Sequence, residues 1–225
     1  MRSQMSFLEV QFALGGQTKT LPADHGYALY SAVKRVVQTS DLKQMESKQI
    51  PEEVRLCSIS GVPNREGKIF LHKKSRFRLR CPADQVQIWY RLLQNQELNI
   101  RGHRIRLVRP RLTLPEPSES LKARLVTFKL DAIDHAEVPR YFLESCQKSL
   151  RRLEIEGQAF IDSNVDGDLA RRALRIKEKK ILGYGVVVEG LSEEDSLKLQ
   201  WHGLGGRQHF GCGWFYPVKE EMDAA

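Results

Sequence analysis

Apolar and polar positions alternate along Ser6–Leu14, where Phe7, Val10, Phe12 and Leu14 carry most of the apolar weight, and this period predicts a strand. Past Leu21-Pro22-Ala23 the period lengthens. Leu29, Val33 and Val36-Val37 recur at helical spacing, with Asp24 as the expected N-cap. Residues 38–53 are polar and read as a loop. Strand-like runs follow at Val54–Ser60, Lys68–Leu71 and Phe77–Arg80, parted by turn signals at Gly61-Val62-Pro63-Asn64 and Glu66-Gly67. Pro82 and Ala83 open a second helix to about Leu93. Leu98–Leu107 predicts a strand turned at Arg101-Gly102. The order is β-α-β-β-(β)-α-β, the split βαβ arrangement of a ferredoxin-like domain.

Leu114-Pro115-Glu116-Pro117-Ser118-Glu119-Ser120 has a linker's composition, and after it the pattern repeats. Arg124–Leu130 reads as a strand. Val138–Leu153 reads as a helix with Phe142, Cys146, Leu150 and Leu153 on one side. Ala173–Ile176 and Ile181–Val188 form a strand pair. Ser192–Trp201 is a helix capped by Ser192, with Asp195 at the capping-box position, and Cys212–Val218 is a last strand. The expected fold class is α+β, with two tandem ferredoxin-like domains. Residues 1–113 and 122–225 form the halves and 114–121 the linker.

Composition changes the picture by its charge. The 225 residues hold 36 Lys and Arg against 28 Asp and Glu, a formal charge of +8 that favours an anionic partner. The surplus is clustered. One block is Lys68, Lys73, Lys74, Arg76, Arg78 and Arg80. A second runs from Arg101 to Arg111, and a third is Arg171, Arg172, Arg175, Lys177, Lys179 and Lys180. Basic residues two apart on a strand share one face of the sheet. Such a face is either solvated or a lane for a phosphate backbone, and three blocks on a cationic chain favour the lane. No apolar run approaches a membrane span, and no signal-type stretch follows Met1. Cys57, Cys81, Cys146 and Cys212 stand singly, as free thiols in a reducing cytoplasm would.

Several motifs come close and fail. Gly61–Lys68 resembles a phosphate loop with the glycines one residue too far apart and Ile69 where Ser or Thr should hold magnesium. Asp162–Gly167 copies half an EF-hand, but Ala173 stands where the bidentate Glu belongs, so an Asp/Asn/Gly turn is expected. His202, His209 and Cys212 lack the second ligand pair of a zinc site, and no metal or other cofactor is expected.

Two segments remain. Gly203-Leu-Gly205-Gly206-Arg207-Gln-His209-Phe-Gly211-Cys-Gly213 places five glycines between a helix and a strand, where exposed N–H groups can cradle an anion. The plainer reading is a flexible connection. In Leu21-Pro-Ala-Asp-His25-Gly-Tyr-Ala-Leu-Tyr30, His25 falls in the first turn of a helix, whose dipole disfavours imidazolium and keeps a neutral, base-competent ring. A histidine satisfied at a helix start is the competing reading. Gly26 beside it leaves room for something bulky.

Together these two segments resemble the Cas-six endoribonuclease family of CRISPR-associated proteins, in its MYXAN-subtype branch. The glycine loop alone is similar to that of the wider RAMP superfamily. The resemblance extends through Arg124–Lys129, Leu174–Ile176 and Glu189-Gly190-Leu191. It implies binding of a CRISPR repeat stem-loop and metal-independent cleavage of precursor CRISPR RNA by the 2′-hydroxyl, leaving a cyclic phosphate. His25 would be the catalytic histidine, with Tyr27 or Tyr30 assisting. RNA would meet Lys73, Lys74, Arg76, Arg78, Arg171, Arg172, Arg175, Lys177, Lys179 and Lys180, and the loop residues Gly203, Gly205, Gly206, Arg207, His209, Gly211 and Gly213. Other effector-complex (Cascade) subunits, of a defensive or transposon-linked system, are the implied protein partners. Three alternatives compete: a non-catalytic RNA-binding subunit of an effector complex, a general nucleic-acid chaperone, and a metal-dependent enzyme built on Asp162–Asp168.

Overall fold

The structure, a computed structural model, describes residues 7–40, 48–130, 134, 136–164 and 166–218. The chain divides into two compact units. The first comprises residues through Pro115 together with Leu174–Lys180 and His209–Gly211. The second comprises Glu116–Ala173, Ile181–Gln208 and the residues from Cys212 onward.

In the first unit β1 (Phe7–Gly15) and β2 (Thr20–Pro22) lead into α1 (Gly26–Thr39). The chain continues through β3 (Arg55–Cys57), β4 (Val62–Pro63), β5 (Lys68–Phe70), β6 (Arg76–Pro82), a 3-10 turn and α2 (Val86–Leu93). It closes with β7 (Glu97–Ile100) and β8 (His103–Thr113). The main sheet runs β3-β6-β1-β8-β7, and its pairs β1–β6, β1–β8, β3–β6 and β7–β8 are all antiparallel. Its first four strands have the ferredoxin-like order, with the two helices returning the chain across one face. Val10 and Phe12 of β1, Phe77 and Leu79 of β6, Leu29, Val33 and Val37 of α1 and Trp89 of α2 make that core. A small sheet β2-β5-β4 stands apart from it. Here Asn64 Oδ1 accepts from the Glu66 and Lys68 N–H groups, so the phosphate-loop lookalike is a hairpin turn.

The other face of the main sheet is polar. Glu9, Arg80 and Arg55 stand in register, as do Gln11, Arg78 and Cys57. Glu9 is buried and takes Arg78 Nε at 2.5 Å and Nη2 at 3.1 Å, Arg80 Nε at 3.2 Å and Gln11 Nε2 at 2.8 Å. The positive charge of Arg78 and Arg80 is therefore offset within the fold. Burial pushes the Arg80 guanidinium down to about 10, with Glu9 pulling it back.

In the second unit β9 (Leu121–Val126), α3 (Val138–Arg152) and β10 (Gln158–Ile161) precede β11 (Arg171–Ile176) and β12 (Lys179–Glu189), whose hairpin end, Leu174–Lys180, belongs to the first unit. α4 (Glu193–His202) and β13 (Phe215–Pro217) follow. The sheet order β10-β12-β9-β13 repeats the ferredoxin-like pattern, with β11 paired on β12. Phe142, Cys146 and Leu150 of α3 pack with Val186, Val188, Leu199 and Phe215. The EF-hand lookalike is an Asx turn: Asn164 Oδ1 accepts from the Asp166 and Asp168 N–H groups, each at 2.9 Å.

Some element ends differ from expectation. Asp24 does not cap α1, because its carboxylate pairs with Arg101 at 2.8 Å and His25 holds the N-cap position. Ser192 does cap α4, accepting from the Asp195 N–H. The Asp195 carboxylate turns to the Glu156 N–H instead of closing a capping box. β8 outruns the expected end at Leu107. It continues past a register shift against β1, where Arg109 takes a φ of 48° before Pro110. Residues 41–47 of the expected loop lie outside the described residues. Among those described, no helix is long and apolar enough to cross a membrane.

Candidate active site and RNA-binding surfaces

β2 delivers the chain to the N-terminus of α1, and the first turn forms when Leu29 N–H donates to His25 O at 2.8 Å. His25 is fully buried. Its Nδ1–H donates to Pro22 O at 2.7 Å, and the Ile59 N–H donates to its Nε2 at 2.9 Å. These partners assign the ring as neutral with the proton on Nδ1. In this arrangement His25 ties the entry to α1 to the chain just beyond β3. Proton transfer at Nε2 would require the Ile59 amide to leave.

Gly26 does admit a close neighbour, and the neighbour is protein. A β-carbon there would meet Phe210 O at 2.2 Å. Phe210 lies edge-on to Tyr27 at 5.4 Å and to Tyr30 at 5.1 Å between ring centroids. Tyr27 and Tyr30, three apart, present to one side of α1. His209 rests against Tyr30 at 5.8 Å. Both tyrosines and His209 are half-buried.

His209 is held below its ordinary pKa of 6.5. Burial is the larger cause and the Arg55 guanidinium the next, with the Val54 carbonyl and Glu52 opposing them. Arg55 donates through Nη1 to Glu52 O. Two buried polar atoms here have no hydrogen-bond partner among the described residues, Arg55 Nε and His209 Nδ1. Arg55, Val54 and Ile59 were not singled out in the sequence. Nothing in their spacing from residues 25 and 209 marks them, because long-range packing brings Ile59 to His25, and Val54 and Arg55 to His209.

The glycine loop is more tightly built than a flexible connection. Gly203, at φ 61°, ends α4, and a β-carbon on it would meet Gly213 O at 2.4 Å. At Gly205, φ 74°, one would meet Thr127 O at 2.5 Å. The N–H groups of Gly206 and Gly213 donate to Thr127 O and Leu125 O, at 2.9 and 2.7 Å. Those two amides are committed to the segment at the end of β9 and are not offered to an anion. Arg207 takes a φ of 61°, and Gly211 packs on Ser58.

The basic residues differ in availability. Lys73 and Lys74 are exposed in the turn before β6, while Arg76 caps the Lys73 and Ser75 carbonyls. Arg78 forks onto Glu9. Arg171, Arg172, Arg175, Lys177, Lys179 and Lys180 are all exposed on the β11–β12 hairpin. Among the described residues, no three His, Cys, Asp or Glu side chains stand together as metal ligands. The four cysteines are free, and burial pushes the thiols of Cys81 and Cys146 up to about 12.

Paired ferredoxin-like units, each in the same strand order, with a glycine-rich loop and a cationic hairpin, define the class of fold. The comparisons narrow it. The family model described as Cas6 Crispr matches residues 8–220. A "CRISPR-associated endonuclease Cas6" of Myxococcus xanthus (strain DK1622) is 33% identical over 213 residues, covering 95% of this chain and 82% of that protein. In fold, the chain resembles a "CRISPR associated protein Cas6" with a TM-score of 0.67 at 11% identity, over 95% of this chain and 100% of that one. A Cas6-related protein from Pyrococcus furiosus gives 0.61 at 14% identity, over 96% and 99%. The chain belongs to the Cas6 family of CRISPR-associated endonucleases.

Proposed function

We propose that this protein binds the stem-loop of a CRISPR repeat and cleaves precursor CRISPR RNA without a metal ion, by attack of the 2′-hydroxyl on the adjoining phosphodiester. The carrying observation is the likeness, across 95% of the chain, to a relative named as a CRISPR-associated endonuclease. The local chemistry is consistent with this reading: the half-buried phenols of Tyr27 and Tyr30 stand on α1, and exposed cations on the β11–β12 hairpin can hold a phosphate backbone. The sequence expectation gives the base to His25 and the assisting hydroxyl to Tyr27 or Tyr30. For His25 this requires loss of its bond from Ile59. The protein would act in the cytoplasm and stay with its product as a subunit of an effector complex.

The test is cleavage of a repeat RNA in excess EDTA. Cutting should persist, and a substrate with a 2′-deoxy nucleotide at the cleavage position should bind and stay whole, since the nucleophile is gone. Loss of activity in EDTA would point to a metal enzyme. The competing reading, an RNA-binding subunit that does not cut, is favoured by the sealed His25 ring and ends if the wild type cleaves.

A further inference from the structure

We propose that the outer face of the small sheet, Phe70 with Val62 and Lys68, is a stacking platform for an unpaired base of bound RNA; this rests on the RNA-binding part of the reading above. β5 is the middle strand of the order β2-β5-β4, and its residues alternate between the two faces. Ile69 turns inward and is buried with Leu21 of β2, its partner in register. Lys68 and Phe70 turn outward. Thr20 of β2 and Val62 of β4 stand opposite Phe70 on either side, so the three share that face. Phe70 is 48% exposed and Val62 57%. The backbone beneath them is pinned: the Leu71 N–H donates to Lys19 O at 2.8 Å and the Asn64 N–H to Lys68 O at 2.9 Å. Gly61 lets the chain pass close to the Phe70 carbonyl, which a β-carbon would meet at 2.5 Å. An aromatic ring on such a backbone needs little ordering to receive a base.

The charge around this face chooses its occupant. Segments 19–22 and 62–74 carry Lys19, Arg65, Lys68, Lys73 and Lys74 against Glu66 alone, and all of these are exposed. Glu66 pairs with Lys68 at 3.3 Å, which leaves the surroundings strongly cationic and suited to a phosphate backbone. A protein partner fits the face poorly. Protein interfaces are depleted in lysine and bury far more than two apolar side chains. An aromatic face among cations is instead the combination that unpaired nucleic acid uses. Inside a stem each base has its faces covered by its neighbours, so only an unpaired base can lie on Phe70. The platform adjoins the entry to α1: Lys68 pairs with Pro22, whose carbonyl accepts from His25 Nδ1. Stacking is tolerant of sequence, so the platform adds affinity and fixes the path of the strand without choosing a base.

The experiment measures affinity for a repeat stem-loop trimmed of its flanks, for the same stem-loop with unpaired nucleotides on both sides, and for an oligouridylate. The two stem-loops carry a 2′-deoxy nucleotide at the cleavage position so that they stay whole. The wild type should bind the flanked form more tightly than the trimmed one. Phe70→Ala should bind the flanked form about 5- to 150-fold more weakly, the worth of one stacked base, and the trimmed form as the wild type does. Phe70→Leu keeps apolar area without a π face and should behave like Phe70→Ala, whereas Phe70→Trp should keep the tight binding. Thermal melts of all three variants should stay close to the wild type. Wild-type affinity of Phe70→Ala for every RNA would overturn the proposal and leave the face to a protein partner. Equal losses on the trimmed and flanked forms would overturn it too, since the ring would then serve the fold or the stem. If Phe70→Ala does not fold, Phe70→Leu decides: wild-type binding of the flanked form rejects stacking. A wild type that binds neither stem-loop ends the repeat-binding reading separately. Oligouridylate binding that depends on Phe70 would still uphold the platform, and none would end it.

Discussion

His25 shows how one side chain can be read as chemistry and found as architecture. Its ring joins Pro22 to Ile59 through two backbone bonds, so His25→Ala should destabilise the protein by at least about 1–3 kcal/mol from the orphaned Ile59 amide alone. Urea unfolding checks this, and an unchanged midpoint would mean that the two bonds contribute nothing. His209 carries the residue-scale pH dependence. Its folded pKa lies below the ordinary 6.5, so between those two values the unfolded chain binds more protons than the native one. Stability should therefore rise with pH through that window and gain nothing further from this group above about 6.5. His209→Gln should flatten that part of the curve when the two proteins are compared by thermal melts across the same pH series.

Among the elements, the glycine loop has the sharpest expectation. Gly205 combines a φ of 74° with a carbonyl 2.5 Å from where a β-carbon would sit, so Gly205→Val should lower the melting temperature and reduce RNA binding only as folding is lost. If the variant melts like the wild type and fails only in binding, the loop meets RNA directly at that position. The sheet face of the first unit has its own test. Glu9→Gln removes the counter-charge of a buried Arg80, and breaking such a pair costs about 3–5 kcal/mol. Denaturant melts that show less than about 1 kcal/mol of loss would mean that water reaches Arg80. The basic block at 76–80 is thus partly structural. Of its three arginines, Arg78 and Arg80 are spoken for by Glu9 and Arg76 by backbone carbonyls.

For the whole molecule the charge of +8 sets the expectation. Affinity for repeat RNA should fall linearly with salt on a double-logarithmic plot, as counterions are released from the backbone. Arg175→Ala or Lys177→Ala, both exposed on the β11–β12 hairpin, should each reduce the slope by about one contact. A flat plot would remove the cationic lane. Much of this architecture was legible in the chain. The alternation of Phe7, Val10 and Phe12 and the helical spacing of Leu29, Val33 and Val37 announce β1 and α1 because both periods are set by local backbone geometry. The same holds for Ser192 at the start of α4. Short elements escaped: β2, β4 and β10 hold too few residues for a period to emerge, although β5 falls on the expected run Lys68–Leu71. The register of the strands escaped too, since which residues face each other is settled by long-range burial. By itself the sequence determined the two ferredoxin-like repeats, the cationic surplus, the glycine loop and the prominence of His25. Only the tertiary structure decided that His25 is sealed between Pro22 and Ile59, that Glu9 neutralises the arginine row, and that Arg55, Tyr30 and His209 meet. Residues 30, 55 and 209 carry no mutual signal along the chain, because their proximity comes from strands and loops packed together after folding.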